Sequence, residues 1–107
     1  MEISQYMVVL VNLDPSMGSE IKKTRPCVII SPDEMNKHLR TIIIAPMTSQ
    51  SKKYPTRIAA VINKKTGWVV IDQIRTIDKK RIIKTLGRLS ESEISKVKSV
   101  LKETLVD

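Results

Sequence analysis

The sequence predicts a mainly β fold with a C-terminal α-helix, arranged as a small, partly open barrel. Three observations lead there. Short apolar runs rich in Val and Ile alternate with turn signals from residue 7 to residue 89. At Ser90 the period changes, and Ile94, Val97, Leu101 and Leu105 recur at helical spacing. The length of 107 residues, 41% of them hydrophobic, suits one domain with a modest core, so residues 1–107 are expected to fold as a single unit.

The elements follow in chain order. Residues 7–13 form a first strand that runs into Asp14-Pro15, a turn signal. Residues 14–24 hold Gly18 and several polar side chains and read as a long loop. Residues 27–31 are a buried strand, with Pro26 at its start, where a missing ladder donor is tolerated. Ser31-Pro32-Asp33 opens a short helical turn ending near His38. Residues 41–47 form another apolar strand, stopped by the polar "TSQSKKYP". Residues 57–62 and 68–71 flank "NKKTG", read as a hairpin loop. The β pattern continues through "DQIRTID", and residues 84–89 give the last strand. Ser90 with Glu93 three residues later fits a capping box for the final helix.

Composition narrows the function. Nineteen Lys and Arg against eleven Asp and Glu leave a net charge of +8, a field that favours polyanions. The basic residues are dispersed along the chain, which argues against a disordered basic tail. Phe is absent and the aromatics are Tyr6, Tyr54 and Trp68, so the core is aliphatic. No apolar run reaches the roughly 20 residues of a membrane span, and no signal region opens the chain. The single Cys27 excludes an internal disulfide and fits a reducing cytoplasm.

Three blocks carry a family resemblance: "LDPSMGSEIKKTRPCVIIS", "APMTSQSKKYP", and "IDQIRTIDKKRI" followed by "LGRLS". In that order and spacing they resemble the MazF/PemK family of toxin endoribonucleases. One block alone is unremarkable; the three together are specific, and they span residues 13–90. The resemblance implies an SH3-like barrel of the MazF/PemK/CcdB type, a homodimer, and metal-independent cleavage of single-stranded RNA. It also implies neutralisation by an antitoxin with an acidic, flexible segment. Where many members carry Gly-Asp before the first strand, this chain has Gln5-Tyr6.

Cutting RNA without a metal requires three services. A base takes the 2′ proton, an acid protonates the leaving 5′ oxygen, and donors stabilise the phosphorane charge. A histidine pair is excluded, because His38 is the one histidine and its position suggests an exposed helix end. Arg25 is the first candidate, since a guanidinium held at a strand entrance offers a rigid fork to phosphate oxygens. The competing reading is an exposed basic residue, or one paired with Glu20 or Asp72; the resemblance favours the catalytic role. Thr48 is the second, a hydroxyl at a strand end within reach of the scissile phosphate. A Thr there equally caps backbone donors in a turn. Glu20 is the preferred base and Asp72 the other, and either carboxylate also suits a loop-holding salt bridge.

Gln73 supports the site or reads a base edge. Arg75, on the same side of an expected strand, binds RNA or pairs with Asp78. Ser19, Lys22, Lys23, Ser49, Gln50, Lys52, Lys53 and Tyr54 complete the candidate RNA surface, with Tyr54 as a stacking platform. Cys27 reads as a small core side chain, and Trp68 as core or dimer packing. No Cys/His spacing suits zinc and no Gly-rich phosphate loop is present, so no cofactor is expected. A second class of function is a catalytically silent nucleic-acid-binding barrel, or a gyrase poison of the same fold. The Arg25 and Thr48 pair with a nearby carboxylate separates the enzyme from both.

Overall fold

The computed structural model describes residues 2–13, 23–50 and 55–105. The candidates Ser19, Glu20, Lys22, Lys52, Lys53 and Tyr54 lie outside the described residues. The strands are β1 (Met7–Asn12), β2 (Thr24–Ile29), β3 (Thr41–Thr48), β4 (Arg57–Ile62), β5 (Lys65–Val70), β6 (Arg75–Asp78) and β7 (Ile82–Arg88). A short helix α1 (Asp33–His38) joins β2 to β3, and α2 (Glu91–Leu105) ends the fold. Every pairing is antiparallel, in the order β4-β5-β3-β2-β1-β7, with β6 on β3.

Strand β3 is the fork of this sheet. One edge pairs β2. The other pairs β6 along Thr41–Ile44 and then β5 at Met47 and Thr48. Dividing one edge between two partners folds the β4–β5 hairpin over the sheet and makes the half-barrel. Side chains then alternate between two buried clusters. Val8, Val28, Ala45 and Met47 face Ile58, Ala60 and Val69 of the hairpin and Ile94 and Val97 of α2. Val9, Val11, Cys27, Ile29, Ile42 and Ile44 form the second cluster with Ile77. Burial on both faces is why β1, β2 and β3 read as unbroken apolar runs rather than alternating ones.

The sheet has an edge at β4 and another at β7, and side chains span the gap between them. Asn63 Nδ2 donates to the Leu86 carbonyl at 3.2 Å. On the same side of the hairpin, the Val61 amide donates to Glu93 Oε2 of α2 at 2.8 Å. The same glutamate closes the expected capping box: Ser90 N donates to Glu93 Oε1 at 2.8 Å, and Glu93 N to Ser90 Oγ at 3.3 Å. On α2, Ile94 and Val97 are buried and Leu101 is half-buried, but Leu105 is 59% exposed. The apolar stripe therefore works over its first three members only.

Several boundaries differ from expectation, each for a local reason. The hairpin turn is only Asn63-Lys64, both left-handed at φ 51° and 64°; Lys65, Thr66 and Gly67 belong to β5. Paired positive φ values are the geometry of a two-residue turn that follows the strand twist. "DQIRTID" is not one strand, because a 3-10 turn (Ile71–Gln73) precedes β6. Gln73 and Arg75 consequently do not share a strand. Tyr6 has φ 69°, a left-handed conformation that a glycine adopts without strain. That is the entry where Gln5-Tyr6 replaces Gly-Asp. Burial of the ring, 8% exposed, and bonds from Tyr6 N to Ile29 O (2.7 Å) and from Leu89 N to Tyr6 O (3.1 Å) hold it there.

Candidate functional site

The site begins with two prolines. The β2–β3 ladder runs Ile29↔Ile44, Val28↔Ala45, Cys27↔Pro46 and then stops. Pro26 and Pro46 lack the N–H that would carry it further. Pro26 therefore lies inside β2, opposite Leu10, rather than at the strand's start as expected. Continuing the register by two residues sets Arg25 opposite Thr48, so the two candidates stand on neighbouring strands just past the point where the ladder ends. Val11 pairs Arg25 on the other side of β2, and Trp68 pairs Thr48 on the other side of β3. Each candidate is thus fixed by a ladder on one flank and free on the flank facing the other.

Arg25 and Thr48 line one open cleft of about 610 Å³. Ser49 and Gln50 continue its rim, while Asn63, Lys65, Thr66 and Gly67 of the β4–β5 hairpin make the opposite wall. Among the described lining residues the charged ones are Arg25 and Lys65, and none is a carboxylate. The cleft is therefore electropositive, which suits a phosphodiester. Thr48 Oγ1 accepts from the Gln50 amide at 3.2 Å. That bond caps the turn, as a Thr at this position often does, and leaves the hydroxyl hydrogen to donate elsewhere.

The other candidates lie apart from the described lining. Asp72 is exposed and accepts from Thr56 Oγ1 at 2.8 Å. Gln73 is exposed in the 3-10 turn. Lys23 is exposed just before β2, its carbonyl accepting from Leu13 N at 2.8 Å. Arg75 opens β6 opposite Ile44, and Asp78 Oδ1 accepts from Lys80 N at 2.8 Å. Burial pushes the Cys27 thiol up to about 12, and the charges of Arg25 and then Arg75 act against that rise. The buried Cys27 Sγ donates to the Arg25 carbonyl at 3.5 Å. His38 is exposed and lies 3.7 Å from Glu34. Among the described residues, no group of three His, Cys, Asp or Glu side chains could hold a metal ion.

The sequence does not mark the hairpin as a wall of the site, because "NKKTG" reads simply as a hairpin loop. One signal was available: a lone glycine within a strand marks close backbone approach. At Gly67 an added Cβ would meet Met47 Cε at 3.1 Å and the Thr48 carbonyl oxygen at 3.5 Å.

Comparison with known proteins agrees with this fold. The profile of the PemK-like, MazF-like toxins of type II toxin–antitoxin systems matches residues 4–105. A relative named endoribonuclease MazF, from Staphylococcus epidermidis, is 38% identical over 104 residues, covering 92% of this chain and 87% of the relative. An endoribonuclease from a mycobacterial species, solved with its cognate antitoxin, superposes with a TM-score of 0.84 at 22% identity, covering 98% of this chain and 96% of that one. MazF from Deinococcus radiodurans gives 0.81 at 24% identity, covering 98% and 97%. Among the described residues, no helix is long and apolar enough to cross a membrane. With the half-barrel, its closing helix and a match over nearly the whole sequence, the chain belongs to the PemK/MazF-like toxin family of type II toxin–antitoxin systems.

Proposed function

We propose that this protein is a toxin endoribonuclease that cuts single-stranded RNA, sequence-selectively and without a metal, so halting translation and growth. The observation that carries the reading is the meeting of Arg25 and Thr48 in one electropositive cleft, delivered by different strands. The ribose 2′-OH gives its proton to a base and its oxygen bonds to the adjacent phosphorus. The P–O5′ bond then breaks and the departing O5′ takes a proton, leaving a 2′,3′-cyclic phosphate and a 5′-hydroxyl. Arg25 neutralises charge on the phosphorane and passes a proton to the leaving oxygen, and Thr48 donates to a non-bridging oxygen. Glu20 is the base of this scheme, with Asp72 the alternative. Gln73 and Arg75 support the site in this scheme, and Ser19, Lys22, Lys23, Ser49, Gln50, Lys52, Lys53 and Tyr54 guide the strand.

The protein is further proposed to act in the cytoplasm as a homodimer and to be silenced by an acidic antitoxin segment. Support for the antitoxin comes from the net charge of +8 and from relatives solved with a cognate antitoxin. The test of function is incubation with a defined RNA pool in EDTA, followed by sequencing of the ends. Cuts bearing 5′-hydroxyls, absent from 2′-O-methylated RNA, are expected. Arg25→Ala should lower cleavage about 100- to 1,000-fold while binding falls far less. Equal loss of both would make Arg25 a phosphate clamp and the barrel a silent binder.

A further inference from the structure

We infer that the cleft beside Arg25 and Thr48 is a nucleobase subsite whose far wall, the β4–β5 hairpin, sets which base is accepted. The inference rests on the reading of the substrate as single-stranded RNA. Its floor is apolar: Pro26, Met47, Ile62 and Leu86 line the same cleft as the two catalytic candidates. A phosphate needs no such floor, whereas the flat face of an unstacked base does. At about 610 Å³ the cleft also falls within the roughly 300–1,000 Å³ of small-ligand sites. Its open mouth lets the strand enter and leave.

No aromatic side chain is among the described lining residues. The described lining offers apolar packing and edge contacts from Ser49, Gln50 and Thr66. Lys65 supplies the wall's cation, available to a phosphate of the bound strand. Two features hold the wall in position. The left-handed Asn63-Lys64 turn keeps the hairpin tight, and Asn63 Nδ2 ties it to the Leu86 carbonyl of β7. Gly67 sets the depth of the floor, because a methyl group there would press on Met47 Cε at 3.1 Å. The neighbour is the flexible end of a side chain, so Gly67→Ala is compatible with the fold and changes the shape of the floor.

The experiment compares wild type, Gly67→Ala, Lys65→Gln and the control Lys102→Gln, whose charge lies on α2 away from the cleft. Cut sites in a randomised single-stranded RNA pool are sequenced, and binding of the same pool is measured against salt. Gly67→Ala should shift the nucleotide preference at one position beside the cut by about tenfold, the scale of one methyl group in an apolar pocket. Lys65→Gln should reduce the slope of log affinity against log salt by about 0.7, the value of one single-strand phosphate, and lower kcat/KM mainly through KM. Lys102→Gln should leave the slope where it was. Unchanged cut-site preference in Gly67→Ala, or equal slopes for the two lysine variants, overturns the subsite. If the wild type binds RNA but does not cut it, the nuclease reading fails instead, and the subsite is scored on the binding slope and on the sequences retained by Gly67→Ala. Absence of RNA binding overturns both.

Discussion

Replacing Glu93 by glutamine should destabilise the protein at neutral pH by about 1–2 kcal/mol, and the loss should vanish in acid. The two carboxylate oxygens have separate partners: Oε1 takes the Ser90 amide at 2.8 Å and Oε2 the Val61 amide at 2.8 Å. Glutamine has one carbonyl oxygen, and its NH2 group would face an N–H, so one of the two bonds must go. A hydrogen bond to a charged acceptor contributes about 1.5–3 kcal/mol, and a cap about 1 kcal/mol. These bonds are partly open to water, so about 1–2 kcal/mol is the working figure, equivalent to a fall in Tm of roughly 5–10 °C. Burial acts to raise the Glu93 carboxyl, but the Ser90 and Val61 amides, the Ser90 hydroxyl and the Lys96 charge outweigh it, and the net shift is downward. A carboxylate with a lowered folded pKa contributes stability above its unfolded value, and that contribution disappears as pH falls through the folded value. Protonated Glu93 then resembles glutamine. Urea and thermal unfolding of both proteins at pH 7 and about pH 3 would show it. Equal stability at pH 7, or a gap that persists in acid, would refute the assignment.

Other outcomes follow from single features. Lys64→Gly should raise stability by about 0.5 kcal/mol, because the φ of 64° costs lysine about 1–2 kcal/mol and glycine's extra unfolded entropy returns part of that; urea midpoints measure it. The buried Cys27 thiol, pushed up to about 12, should stay unreactive toward a disulfide reagent at pH 8 until urea unfolds the chain. Prompt labelling of the native protein would contradict the burial. Thr48→Val keeps the shape and removes the hydroxyl, so RNA cleavage should drop about 100-fold, whereas Thr48→Ser should retain most of it. Wild-type rates in the valine variant would reduce Thr48 to a turn residue.

How much was legible depends on whether a signal is local. The runs "VVLV", "CVII" and "IIIAPM" announce strands buried on both faces, and Ser90 with Glu93 announces a helix start; chain neighbours decide these. Arg25 and Thr48 stand out as a pair through the family blocks, yet what sets them side by side is a ladder that ends at Pro26 and Pro46. That is a property of two strands at once, invisible to a one-dimensional reading. The hairpin is legible, but its turn reads too long, because Asn63-Lys64 lacks the glycine that normally flags a two-residue turn. Its role as the cleft's far wall depends on the forked edge of β3, which pairing alone reveals. The bond from Glu93 to Val61, 32 residues away, was equally unreadable. Leu105 fits the helical period but runs past the surface that would cover it.

Trp68, the single tryptophan, is the ladder partner of Thr48. Nature has thereby placed one fluorophore a strand's width from the residue proposed to touch the scissile bond. Its emission should change when RNA arrives, with no second indole in the chain to dilute the signal. Stopped-flow mixing of unlabelled material can therefore separate arrival from cutting.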